Sequence, residues 1–184
     1  NMNNINYPEA RDLVLSWEFT GNDPSTGSFS SAFSLLNNSS FTFGGSGWEL
    51  YFSQMGGSQA HIPEISDIVV DHINGDLFRI RPVQGFLLEP GDRVEIRLQK
   101  AGSLIKEVEA PLGPYFVFTD SAGNEMAIVA ADNYSIKPFP ALASIFPPQT
   151  GKPLPTVEWL YERNRYQKLL EIESAGFIVP TPVK

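Results

Sequence analysis

The sequence predicts an all-β protein built as a two-sheet sandwich. Three observations carry this. Short segments of alternating apolar and polar residues recur from about Leu13 to Ile136, clusters of turn-forming residues separate them, and no helical period interrupts them. Fifteen Gly and fifteen Pro in 184 residues suit such a turn-rich chain. Hydrophobic residues at 42% and charged residues at 18% place it among globular proteins, with length enough for one domain with a sizeable core, or for one domain and a fragment of another.

The first segment is "LVLSWEF". Leu13, Leu15, Trp17 and Phe19 share one face while Ser16 and Glu18 take the other, the period of two of a half-buried strand. "GNDPSTGS", residues 21–28, reads as the turn that follows. Further strands are expected over Phe29–Leu36, Phe41–Phe43, Trp48–Ser53, Ile65–Ile73, Leu77–Val83, Arg93–Lys100, Leu104–Glu109, Tyr115–Thr119 and Met126–Ala131. Hairpin-like signals lie between several of them: "NG" at 74–75, "PGD" at 90–92, "AGS" at 101–103 and "SAGN" at 121–124.

After Ile136 the composition changes. Residues 137–155 hold six prolines, so 138–155 is expected to be an extended, semi-rigid linker. "TVEWLYERNRYQKLL" then predicts the one substantial helix. Thr156 is placed to cap it, Glu158 lies in its first turn, and Arg163, Arg165 and Lys168 come later, the charge order a helix dipole favours. Val157, Leu160, Tyr161 and Asn164 share a face. Gly176 stops the helix and "FIVPTP" starts a strand without a partner of its own. Residues 156–184 are therefore expected to lead into a further α/β and catalytic region outside this sequence.

Charge and composition exclude several function classes. A net charge of −8 and a pI near 4.7, with no basic run, argue against nucleic acid and against an anionic membrane surface. No apolar run is long enough to span a bilayer. Cysteine is absent, which excludes disulfides, thiolate metal sites and a cysteine nucleophile. His61, expected in a loop, and His72, expected in a strand, have no neighbouring partner with which to hold zinc. "DPSTGS" and "DSAGNE" carry oxygen ligands, but ordinary Asx turns account for them. "GGSGWE" lacks the Gly-Lys-Ser/Thr end of a phosphate loop, and no G-x-S-x-G frames a serine nucleophile. Acidic residues such as Asp71, Asp76, Glu107 and Glu109 are scattered, as expected of a solvated surface rather than of a catalytic pair. No metal, cofactor or catalytic residue is expected.

The densest aromatic stretch is "GSGWELYFSQMGG". Alternation sends Trp48, Leu50 and Phe52 into the core, as it does Trp17, Phe78 and Ile80. Glu49, Tyr51 and Ser53 face outward. Tyr51 is then the one outward aromatic left for a sugar, with Arg79 and Arg81 of "LFRIRP" as outward polar companions.

The order of "LVLSWEFTGN", "FSSAFSLLNNSSFTFGGSGWELYFSQ", "INGDLFRIRPVQGFLLEPGDRVEI" and "APLGPYFVFTDSAGN" resembles the N-terminal domain of bacterial β-N-acetylhexosaminidases and chitobiases, of glycoside hydrolase family 20. The resemblance covers roughly residues 10–137, and "GWELYFS" and "NGDLFRIRP" are its most specific blocks. It implies an immunoglobulin-like or carbohydrate-binding-module-like sandwich that binds carbohydrate. "PTVEWLYERN" followed by "FIVPTP" is similar to the segment joining that domain to the small α/β domain before the catalytic barrel. The barrels of this family use an Asp-Glu pair with the acetamido group of the substrate as nucleophile. This sequence has no adjacent Asp-Glu pair, so no catalytic residue carries over, and the family supplies no established sugar contacts to transfer.

Two readings stay open at this level. In one, the sandwich is the non-catalytic accessory domain of an exported β-N-acetylhexosaminidase and binds N-acetylhexosamine-containing glycans through Tyr51, Arg79 and Arg81. In the other, it is a purely structural module packed against the downstream α/β and barrel domains. The first implies a periplasmic, cell-surface or secreted protein whose signal peptide is missing from this sequence.

Overall fold

In a computed structural model, which describes residues 5–56, 61–104 and 109–139, the chain forms two five-stranded sheets. The strands are β1 (Leu13–Asp23), β2 (Ser28–Asn37), β3 (Trp48–Ser53), β4 (Ile62–Pro63), β5 (Ile68–Asn74), β6 (Leu77–Pro82), β7 (Arg93–Ala101), β8 (Leu112–Thr119), β9 (Glu125–Ala130) and β10 (Asn133–Ile136). One sheet has the order β10-β1-β2-β7-β4 and the other β5-β6-β3-β8-β9. All pairs are antiparallel except β1 with β10, which is parallel. The only helical piece among the described residues is a 3-10 turn at Ala10–Asp12. They all fall in one compact unit, Asn1–Pro140.

Alternation builds the core. Leu13, Leu15, Trp17 and Phe19 of β1 are fully or almost fully buried, as are Trp48, Leu50 and Phe52 of β3, Phe78 and Ile80 of β6, and Phe116 and Phe118 of β8. The sheets meet through aromatic edges, with the rings of Phe33 and Phe52 5.0 Å apart in an edge-on contact. Each such ring, taken out of water, contributes about 1.5–3 kcal/mol.

One end of the core is polar. His61 and Gln54 are buried, and His61 Nε2 donates to Gln54 Oε1 at 2.5 Å while Gln54 Nε2 donates to the carbonyl of Glu109. Among the described residues His61 Nδ1 is buried without a hydrogen-bond partner. Burial, reinforced by the nearby Lys100 charge, pushes the imidazole down to about 3, so the ring is neutral. Lys100 is itself buried. Its ammonium donates to the Met55 carbonyl at 3.0 Å and sits 4.7 Å above the Phe78 ring.

The structure departs from the sequence reading at several turns. β1 runs on through Gly21–Asp23, and the turn contracts to residues 24–27. Asn22 is held in the strand because its side-chain amide grips the backbone of Leu104 from both sides, at 3.0 and 2.9 Å. "PGD" closes a turn that hydrogen-bonds to Asn37 at the end of β2 and makes no hairpin. Phe41–Phe43 is no strand: Phe43 alone bridges to Leu88. β5 begins at Ile68 rather than Ile65, and β8 begins earlier than expected, at Leu112. β4 and β10 carry no clear sequence signal, one being two residues long and the other polar. Most of the expected strand Leu104–Glu109, the linker from residue 140 and the expected helix lie outside the described residues.

Candidate functional site

The second sheet turns its outer face to solvent, and the inward packing of its aromatics decides what stands there. Because β3 buries Trp48, Leu50 and Phe52, it must present Glu49 and Tyr51. Because β6 buries Phe78 and Ile80, it presents Arg79 and Arg81. β5 adds Asp71, and β8 adds Tyr115 and Val117.

Register then aligns these residues across the sheet. Asp71 lies opposite Arg79, Arg79 opposite Tyr51, Tyr51 opposite Tyr115, and Tyr115 opposite Ala130. One row therefore crosses all five strands. The NG turn that joins β5 to β6 fixes the first of these pairings, with Gly75 at φ +52°.

The row has a charged half and an aromatic half. In the charged half, Asp71 Oδ2 accepts from Arg79 Nε at 3.0 Å, Arg79 Nη2 at 2.8 Å and Arg81 Nε at 2.9 Å. Arg79 also lies 3.8 Å from Glu49. Partial burial works to raise the Asp71 carboxyl, but the hydrogen bonds from Arg79 and Arg81 outweigh it and hold the group below the ordinary carboxylate range. In the aromatic half, the rings of Tyr51 and Tyr115 stack 5.1 Å apart and 7° from parallel. The Tyr51 hydroxyl donates to Glu49 Oε2 at 2.5 Å. Burial and that hydrogen bond raise its pKa.

Tyr51, Arg79 and Arg81 thus come together on one face. Two expectations need correction. Asp71 is not simply a solvated charge; it is the anchor that orients both arginines. Tyr51 is not the sole outward aromatic. Tyr115 stands beside it, and the alternation of "PYFVF", with Phe116 and Phe118 inward, carried the signal.

Other candidates are occupied by local structure. Asp120 Oδ1 accepts from the backbone of Ala122 and Asn124, and Asp23 Oδ1 accepts from Ser25, so both oxygen-rich turns are closed by their own chain. His72 Nε2 pairs with the Gly75 carbonyl. Among the described residues no group of three or more His, Cys, Asp or Glu is placed to hold a metal ion, and no helix is long and apolar enough to cross a membrane.

The outer face thus joins a stacked tyrosine pair to arginines oriented on one carboxylate. Residues 21–141 match the CHB_HEX family, described as "Putative carbohydrate binding domain". The chain belongs to this family. The CHB_HEX fold also matches two structures of the GH20 exo β-N-acetylglucosaminidase from Vibrio harveyi. One, in complex with N-acetylglucosamine, has a TM-score of 0.51 at 13% identity; the other, an inactive mutant, has 0.50 at 10%. The matches cover 77% and 76% of this chain but only 20% and 19% of those enzymes, so the chain spans about a fifth of their length. A carbohydrate-binding module, CBM3b of cellobiohydrolase 9A from Clostridium thermocellum, is similar at a TM-score of 0.41 and 9% identity, over 61% of this chain and 94% of the module. No curated protein matches the chain.

Proposed function

We propose that this CHB_HEX domain is the non-catalytic, glycan-binding accessory module of an exported β-N-acetylhexosaminidase, and that its outer β5-β6-β3-β8-β9 face is the binding surface. Tyr51, Arg79 and Arg81 belong to the contact set, with Asp71, Glu49 and Tyr115. In this reading residues 138–155 are the linker, and 156–184 lead toward an α/β domain and a catalytic barrel. Tethering such a module to the enzyme raises the local concentration of substrate.

One observation carries the reading: a single row across the sheet joins a tyrosine stack to an arginine pair fixed on Asp71. Aromatic rings meet the C–H face of a pyranose, and preoriented charges meet its hydroxyls without further ordering cost. The charged half keeps hydrogen-bonding capacity for a ligand. Among the described residues Asp71 accepts on Oδ2 and leaves Oδ1 outside the network, and Arg81 donates from Nε alone. The enzymatic context is supported by the shared fold with the Vibrio harveyi enzymes and by the proportion of their length that this fold covers.

Met126 and Ile128, 55% and 59% exposed on the neighbouring edge strand, favour the second reading, a module that packs against other domains. Glycan-array binding of the folded chain separates the two. Binding to GlcNAc- or GalNAc-containing glycans that falls in Tyr51→Ala and Arg81→Ala supports the first; silence across the array supports the second. Hydrolysis of a chromogenic N-acetylglucosaminide by the pure chain at an enzymatic rate would overturn the non-catalytic assignment.

A further inference from the structure

Parallel rings 5.1 Å apart cannot lie side by side in one plane, because their edges would interpenetrate. Tyr51 and Tyr115 therefore overlap, and each covers part of one face of the other. They make a wall along the strands and not a flat pavement across them. What stands beyond each ring then differs. On the β6 side of Tyr51 is Arg79, tied to Asp71. On the β9 side of Tyr115 is Ala130, exposed and only one carbon deep. One step along the strands from this shelf, Val117 and Ile128 face each other across β8 and β9, and Ile128 is 59% exposed.

Resting on the glycan-binding reading above, we propose that one N-acetylhexosamine unit of a single glycan chain stacks on the β9-side face of Tyr115, over Ala130, with its acetamido methyl against Ile128 and Val117. Tyr51 backs Tyr115 from behind. The ligand is a soluble chain and not the flat surface of an insoluble array, since the wall offers no coplanar platform. An acetamido methyl matches the apolar pair beside the shelf, where the corresponding hydroxyl of an unacetylated sugar would find no partner.

The test is an NMR titration of the isotope-labelled chain with chitotriose, and with cellotriose as the unacetylated comparator. Shifts on β8 and β9, a preference for chitotriose and intermolecular contacts between acetyl methyl protons and Ile128 are expected. Ala130→Leu fills the shelf without touching the core and should weaken chitotriose by at least about tenfold, as should Tyr115→Ala, while Tyr115→Trp restores binding. If Ala130→Leu binds like the unaltered chain while Arg81→Ala does not, the sugar sits on the charged half; this inference fails and the glycan-binding reading survives. If the unaltered, folded chain shows no shifts with either sugar, both fail together.

Discussion

Arg81 donates its Nε–H at 2.9 Å to the same Asp71 oxygen that Arg79 already holds. Two cations share one acceptor, so a single carboxylate sets the geometry of the charged half of the face. Partly exposed pairs of this kind add little to stability, because water and salt screen them and long side chains lose freedom to make them.

Asp71→Asn should accordingly leave the thermal midpoint almost unchanged, within about 1 kcal/mol, while weakening glycan binding by releasing both arginines. The depressed carboxyl also fixes a pH window. Any stabilisation from Asp71 is complete above the ordinary value of 3.8 and is lost as the pH falls through its lower folded value. A carboxyl-carbon NMR titration in which Asp71 titrates at or above 3.8 would contradict the network.

His61 gives a larger pH effect at the buried end of the core. Folding holds the ring neutral down to about 3, while the unfolded chain takes up its proton near 6.5. The unfolded state therefore binds the extra proton between these values, and stability falls on acidification by up to about 1.4 kcal/mol per pH unit. His61→Gln is expected to be less stable at neutral pH and to lose this component of the slope. Parallel curves of midpoint against pH for the two proteins would refute the assignment.

Gly75→Ala tests the turn that sets the Asp71–Arg79 register. A Cβ there meets no other atom, so the cost is conformational alone, about 1–2 kcal/mol for a residue held at φ +52°. Gly75→Asn should cost less, because asparagine tolerates this region. Equal denaturation midpoints for glycine and alanine at this position would show that the turn relaxes.

Much of the sandwich was legible because inward and outward residues alternate along the apolar stretches of β1, β3 and β6. Trp17, Phe52 and Phe78 declare the core, and Tyr51, Arg79 and Arg81 are outward by default. What alternation could not supply was lateral order. Nothing local says that β3 sits between β6 and β8, so the stacking of Tyr51 on Tyr115, 64 residues apart in the chain, was invisible. The same holds for Asn22, whose turn-like chemistry was overridden by a partner 82 residues away. β10 escaped because its partner is parallel and distant, so no hairpin turn announces it.

That parallel strand bears on mechanics. Val14 to Trp17 pair with Asn133 to Ile136, and both strands run the same way. Tension applied before Leu13 and after Ile136 pulls the two strands past each other lengthwise, so the whole ladder resists at once. An antiparallel arrangement would open one rung at a time. Load applied across these two ends is thus met in shear, where unfolding rate rather than equilibrium stability decides how long the domain holds.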